Sequence, residues 1–158
     1  MVLSDPLLEA TEPTEVGWLS VKDPFEFRRE LDYLPSAEKF EPGTENSAGL
    51  FGLLARLKEI EEAGLSAISQ HILALNGLLA DELKRLGCTI SSPWETGSRS
   101  GILTFKHPKL DSTAAAETLK KRMIFTSARH GNVRISPHYY NSEGEIREVI
   151  DQIASMID

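Results

Sequence analysis

"ARHGNVRISPHYYN", residues 128–141, decides how the second half of this chain is read. His130 and Gly131 stand between two runs suited to strands, which predicts a β-hairpin closed by a two-residue turn. Ser127 then faces Arg134 across the ladder, and Arg129 faces Asn132. Because side chains alternate along a strand, Ile124, Thr126, Ala128, Val133 and Ile135 share one face. Ser127, Arg129, Asn132, Arg134 and Ser136 share the other. The first face is core. The second gathers two guanidiniums and several hydrogen-bonding groups without an acid, in a chain with 24 acids and 17 bases. Like charges on one sheet face repel unless an anion or a carboxylate from elsewhere joins them. Pattern alone leaves two readings open. The arginines are solvated or meet an acid from a helix, or they form a site for a carboxylate or phosphate, whose shape the planar guanidinium fork matches.

After the hairpin, Ile146, Val149, Ile150, Ile153 and Ile157 repeat at helical spacing behind Asn141 or Ser142 as cap, with Glu145 placed to complete a capping box. Before it, strand candidates lie at 88–91, 101–105 and 123–129, and the hairpin's own second strand extends over 132–138. A short helix opens near Asp111 or Ser112 and runs to about Arg122. Further upstream, Leu50, Leu53, Leu54, Leu57 and Ile60 mark a helix with Thr44 as cap and Gly64 as stop. A longer one follows, with Leu65, Ile68, Ile72, Leu75, Leu79, Leu83 and Leu86 on one stripe and Gly87 at its end. These two helices are expected to pack together. The fold class is therefore α+β, a small antiparallel sheet of three to four strands with helices on one face.

Residues 1–46 read differently. They hold prolines 6, 13, 24, 35 and 42 and show no sustained helical or alternating period. Yet Leu7, Leu8, Trp18, Leu19, Phe25, Phe27, Tyr33 and Phe40 are too apolar for a solvated tail, so the segment is expected to lie against something, inside or outside this chain. The domain division is thus an extended proline-rich segment, 1–46, and a small domain, 47–158. A net charge of −7 argues against nucleic acid or an anionic membrane surface as partner. No run approaches the roughly eighteen apolar residues of a membrane helix. "MVLSDPLLEATEP" lacks the basic start and apolar middle of a secretion signal. With a single cysteine, Cys88, the chain is expected in the cytoplasm.

Other residues invite dull readings. His71, His107, His138 and Cys88 share no ligand spacing, so no metal site is expected. "GSRSG", 97–101, lacks the glycine spacing and lysine of a P-loop and reads as a mobile surface loop. Trp18 and Trp94 read as fillers of apolar gaps.

The blocks "FEPGTENSAGL" at 40–50, "SGILTF" at 100–105 and "SARHGNVRISPHYYNSEGEI" at 127–146, with a helix pair between the first two, resemble the C-terminal part of class V aminotransferases. These are the fold type I pyridoxal-phosphate enzymes that include cysteine desulfurases, selenocysteine lyases, kynureninases and isopenicillin N epimerase-like proteins. The resemblance covers nearly the whole chain. It implies that Arg134 binds a substrate α-carboxylate, that Arg129 supports it, and that Gly43 and Thr44 reach across a dimer to the cofactor phosphate of the other subunit. It implies residues 1–46 to be the exit from a large domain and an interdomain linker.

The family's cofactor-bearing lysine, its stacking aromatic and the acid that pairs with the pyridine nitrogen match nothing here. By the resemblance the lysine would stand shortly before Met1, and Lys22, Lys39, Lys58, Lys84, Lys106, Lys109, Lys120 and Lys121 sit in no matching motif. A truncated gene product or excised piece is implied, with no catalytic residue, no covalently held cofactor, and either a homodimer or the missing large domain as partner. Cysteine desulfurases carry a nucleophilic cysteine between the two arginines, where only "HGNV" stands, so desulfuration is disfavoured and Cys88 reads as a small buried apolar residue. The competing expectation is a stand-alone α+β binding or dimerisation module derived from such an enzyme.

Overall fold

The computed structural model describes residues 3–157. The chain divides into two compact units, one ending at Arg56 and one beginning at Leu57. Among the described residues are five α-helices, α1 (Asp5–Ala10), α2 (Ser47–Ala63), α3 (Leu65–Arg85), α4 (Ser112–Lys121) and α5 (Glu143–Ile157). Four strands, β1 (Thr89–Ile90), β2 (Leu103–Lys106), β3 (Ser127–Arg129) and β4 (Asn132–Ile135), form one antiparallel sheet in the order β1-β2-β4-β3. No single described helix is long and apolar enough to cross a membrane.

In the second unit, the inward residues of the sheet are Leu103, Phe105, Val133 and Ile135, all buried. Leu75, Leu79, Ala80 and Leu83 of α3, Ala115 of α4, and Ile146, Val149, Ile150, Ile153 and Ile157 of α5 join them in one core. The helices pack on one face of the sheet, as the patterning requires. The hairpin has the expected register, with Ser127 opposite Arg134, Ala128 opposite Val133 and Arg129 opposite Asn132. His130 at φ 48° and Gly131 at φ 76° supply the two positive dihedrals of a type I′ turn. Helix α5 opens with the capping box: Ser142 N–H donates to the Glu145 carboxylate at 2.7 Å, and Glu145 N–H donates to Ser142 Oγ at 3.3 Å.

Several elements depart from expectation. The strand foreseen at 123–129 begins only at Ser127, because Met123 and Ile124 close α4 instead. Met123 N–H donates to the Lys120 carbonyl and Ile124 N–H to that of Leu119, the paired bonds of a Schellman cap, with Met123 left-handed at φ 61°. Gly87 does the same for α3 at φ 80°, with Gly87 and Cys88 donating to Lys84 and Leu83. Helix α2 is capped by Asn46, whose Oδ1 accepts Gly49 N–H at 3.0 Å, and not by Thr44. No residue of α2 is buried, and Leu50, Leu53, Leu54 and Leu57 remain about half exposed, where a half-buried face was expected. On α3 the stripe is buried only from Leu75 onward, while Leu65 is exposed.

Asn76 of α3 is fully buried and donates to the Ser100 carbonyl at 3.0 Å. It ties down the 97–101 loop. Arg99 in that loop lies 4.8 Å from the ring of Trp94 and donates to its carbonyl. Trp94 itself packs against the core.

The first unit is built from loops held at few points. Lys39, only 8% exposed, donates from Nζ to the carbonyls of Leu8 and Thr11 at 2.7 Å each, satisfying the C-terminal end of α1. Lys22 and Asp32 join both through their backbones and by an ion pair at 2.8 Å, beside the bridge between Val21 and Tyr33. Gly17 admits no side chain, since a Cβ there would stand 1.8 Å from the Pro42 carbonyl oxygen. Trp18, Phe25, Phe27 and Leu31 stay exposed.

Candidate functional site

Arg134 occupies an inner strand of the sheet. Thr104 of β2 faces it on one side and Ser127 of β3 on the other. Both neighbours are short and polar, so neither covers the guanidinium or neutralises it. Alternation along β4 turns Val133 and Ile135 inward and sends Arg134 to the opposite face, where it is partly exposed. Among the described residues its side chain has no hydrogen bond and no ion pair. Nor do the hydroxyls of Thr104 and Ser127. A fork of N–H donors lies between two hydroxyls, with no acid on the ladder to occupy it. That set complements a carboxylate, which accepts two parallel bonds from the fork and further ones from hydroxyls.

Arg129 shares this face by register but is exposed, and its Nη1 donates at 3.0 Å to the carbonyl of Ala128. Its head is thus partly used on its own strand, and no contact joins it to Arg134. Asn132, opposite Arg129, donates to the carbonyls of Arg129 and His130 and accepts from Ser91 Oγ at 2.6 Å. It stiffens the turn end of the hairpin. Lys106 belongs to the same face, but it lies one residue past the strand expected at 101–105, so its place on the sheet was not read from the sequence. The alternation Leu103, Thr104, Phe105, Lys106 held the signal, but only the β2–β4 pairing shows which residues it lies beside.

Gly43 and Thr44 lie in the first unit, just ahead of α2. They line a hollow of about 680 Å³ with Phe40, Pro42, Asn46 and Leu50, and Thr44 is exposed. The Thr44 hydroxyl is a neutral donor at this place, but the Ser47 N–H that opens α2 already donates to the Glu45 carbonyl. Gly49 N–H is already taken by Asn46. Glu41 and Glu45 line the same hollow, and no cation does so among its lining residues. With two carboxylates and no cation in its lining, the hollow by itself does not favour a phosphate, and one would need countercharge from elsewhere.

Cys88 is buried, and desolvation pushes its thiol up to about 11, which keeps it protonated and unreactive. His71 bonds to the Asn141 carbonyl at 2.9 Å. His138 stacks on Tyr140 with ring centres 4.3 Å apart. Tyr139 donates to Glu59 at 2.9 Å. These contacts tie the segment after β4 in place, and none approaches a metal-binding group among the described residues.

Residues 1–150 match the family described as Aminotransferase class-V. An uncharacterized aminotransferase of Bacillus subtilis is 24% identical over 149 residues, which cover 94% of this chain and 38% of the relative. A probable cysteine desulfurase of Pyrococcus abyssi is 25% identical over 170 residues, covering 99% of this chain and 42% of the relative. Among solved structures, the apo cysteine desulfurase of Thermococcus onnurineus superposes with a TM-score of 0.89 at 24% identity, over 98% of this chain and 42% of that one. The chain thus spans about two fifths of the length of the relatives it matches. With nearly all its residues inside the matched region, this chain belongs to the class V aminotransferase family.

Proposed function

We propose that the chain is the small C-terminal domain of a pyridoxal-phosphate enzyme acting on an amino acid, and that its task is to hold the substrate's α-carboxylate through Arg134. The observation that carries this reading is the unpaired guanidinium between Thr104 and Ser127 on an inner strand. When bound, the cofactor supplies an electron sink for bonds at the substrate's α-carbon. Arg134 contributes orientation, since a bidentate grip on the carboxylate leaves the amino acid little rotational freedom relative to the sheet. Gly43 and Thr44 would offer neutral donors to the cofactor phosphate of a second subunit, with the countercharge coming from other residues. Arg129 adds positive potential without a direct grip.

The exposed Trp18, Phe25, Phe27, Leu50 and Leu54 support a role as part of something larger, because apolar side chains of this size need cover. The relatives are more than twice as long as the part matched here, which fits a remaining large domain and a partner subunit as that cover. A chain of these residues alone lacks a lysine in a family motif and does not catalyse. Desulfuration is disfavoured as the reaction, since the protonated, buried Cys88 cannot serve as nucleophile.

The test is borohydride reduction of the chain mixed with pyridoxal phosphate, followed by peptide mass spectrometry. Substoichiometric labelling scattered over surface lysines is expected. Stoichiometric labelling of one lysine would mean a self-sufficient cofactor site and would overturn the reading.

A further inference from the structure

On the outer face of the sheet, the ladder places a second free cation beside Arg134. Lys106 lies two residues beyond Thr104, the partner of Arg134, and Thr89 faces it from β1. Such diagonal neighbours stand about 7–8 Å apart at Cα. Lys106 is exposed, and its ammonium has no hydrogen bond or ion pair among the described residues. Arg129 lies at the matching diagonal on the other side, but its fork already donates to the Ala128 carbonyl. Asn132 is engaged by Ser91 and by the turn carbonyls. Arg129 keeps its charge, so Lys106 is singled out as the cation beside Arg134 none of whose donors is engaged among the described residues.

We propose that Arg134 and Lys106 together form a two-point anion site, and that the substrate is an amino acid whose side chain ends in a second acid group. This rests on Arg134 holding the α-carboxylate. One carboxylate seated between Thr104 and Ser127 leaves the second to reach along the sheet toward the turn end, where Lys106 supplies three rotatable donors. No acid stands on this face of the ladder to compete. A monocarboxylic amino acid would leave the ammonium unused, so the site selects for the diacid.

Titration of the ¹⁵N-labelled chain with glutarate and, separately, with butyrate at low ionic strength tests this, read at the amides of Thr104, Asn132 and Arg134. Glutarate is expected to bind roughly two- to fivefold more tightly, the scale of one exposed charge pair. In Lys106→Gln that ratio falls to about one. In Lys121→Gln, which removes the same charge from α4, it persists. An undiminished ratio in Lys106→Gln, or an equal drop in Lys121→Gln, would overturn the two-point site while leaving Arg134 its role. No binding of either acid, or binding indifferent to Arg134→Gln, would sink the carboxylate reading of Arg134 and this proposal with it.

Discussion

The two faces of one sheet obey different rules. Inward, Leu103, Phe105, Val133 and Ile135 are at most 6% exposed and share a core with three helices. Outward, one residue along each strand, stand Thr104, Lys106, Asn132 and Arg134, polar and only partly covered. The inner face is fixed by the free energy of removing apolar surface from water. The outer face contributes little to that, and an arginine held there without a partner costs repulsion from its cationic neighbours. The difference separates the face that makes the domain fold from the face proposed to bind.

Substitutions can sharpen that contrast. Phe105→Ala on the inner face is expected to cost about 3–5 kcal/mol in urea unfolding, because it opens a cavity among residues that cannot collapse around it. Met123→Gly should raise stability by about 0.5–1 kcal/mol, since glycine relieves the left-handed strain at the α4 cap and Met123 buries little. Arg134→Gln on the outer face should leave the unfolding midpoint within about 0.5 kcal/mol of wild type while abolishing carboxylate binding. A large loss of stability there would show that the guanidinium serves the fold.

The smallest effect is at Glu145. Hydrogen bonds from the Ser142 backbone and side chain hold its carboxyl below the ordinary glutamate value. A carboxylate with a lowered folded value stabilises fully above its unfolded value of about 4.3 and loses that contribution as pH falls through the folded one. Acid titration of the unfolding midpoint should therefore show a step below that value which Glu145→Gln lacks. An identical profile in the variant would mean that the capping box is neutral in energy.

Much of this was legible in the residues. His130-Gly131 set the hairpin register because a two-residue turn leaves no slack, and register put Arg134 outward. The isoleucine spacing of α5 and its Ser142–Glu145 box were equally plain. Met123 was not, because a methionine in a left-handed cap contradicts local preference and is held by its bonds to α4. Asn46 displaced Thr44 as cap since both are acceptable there and only geometry chooses. The leucines of α2 signalled a buried face, yet they are about half exposed among the described residues. Alternation placed Arg134 on the outer face, while its proposed carboxylate-binding role came only from the resemblance to class V aminotransferases. The turning back of Arg129 onto Ala128 was not readable, because a side-chain rotamer leaves no trace in sequence.

The central claim is that the Arg134 guanidinium is free to take a carboxylate. Arginine-selective ¹⁵N spectra of the side-chain Nε–H groups, recorded as propionate is added at low ionic strength, test it most directly. The account predicts a saturable shift of the Arg134 resonance, with Arg129 moving less. An Arg134 resonance that stays fixed while other arginines move, or one already displaced by an internal carboxylate in the ligand-free protein, would contradict it.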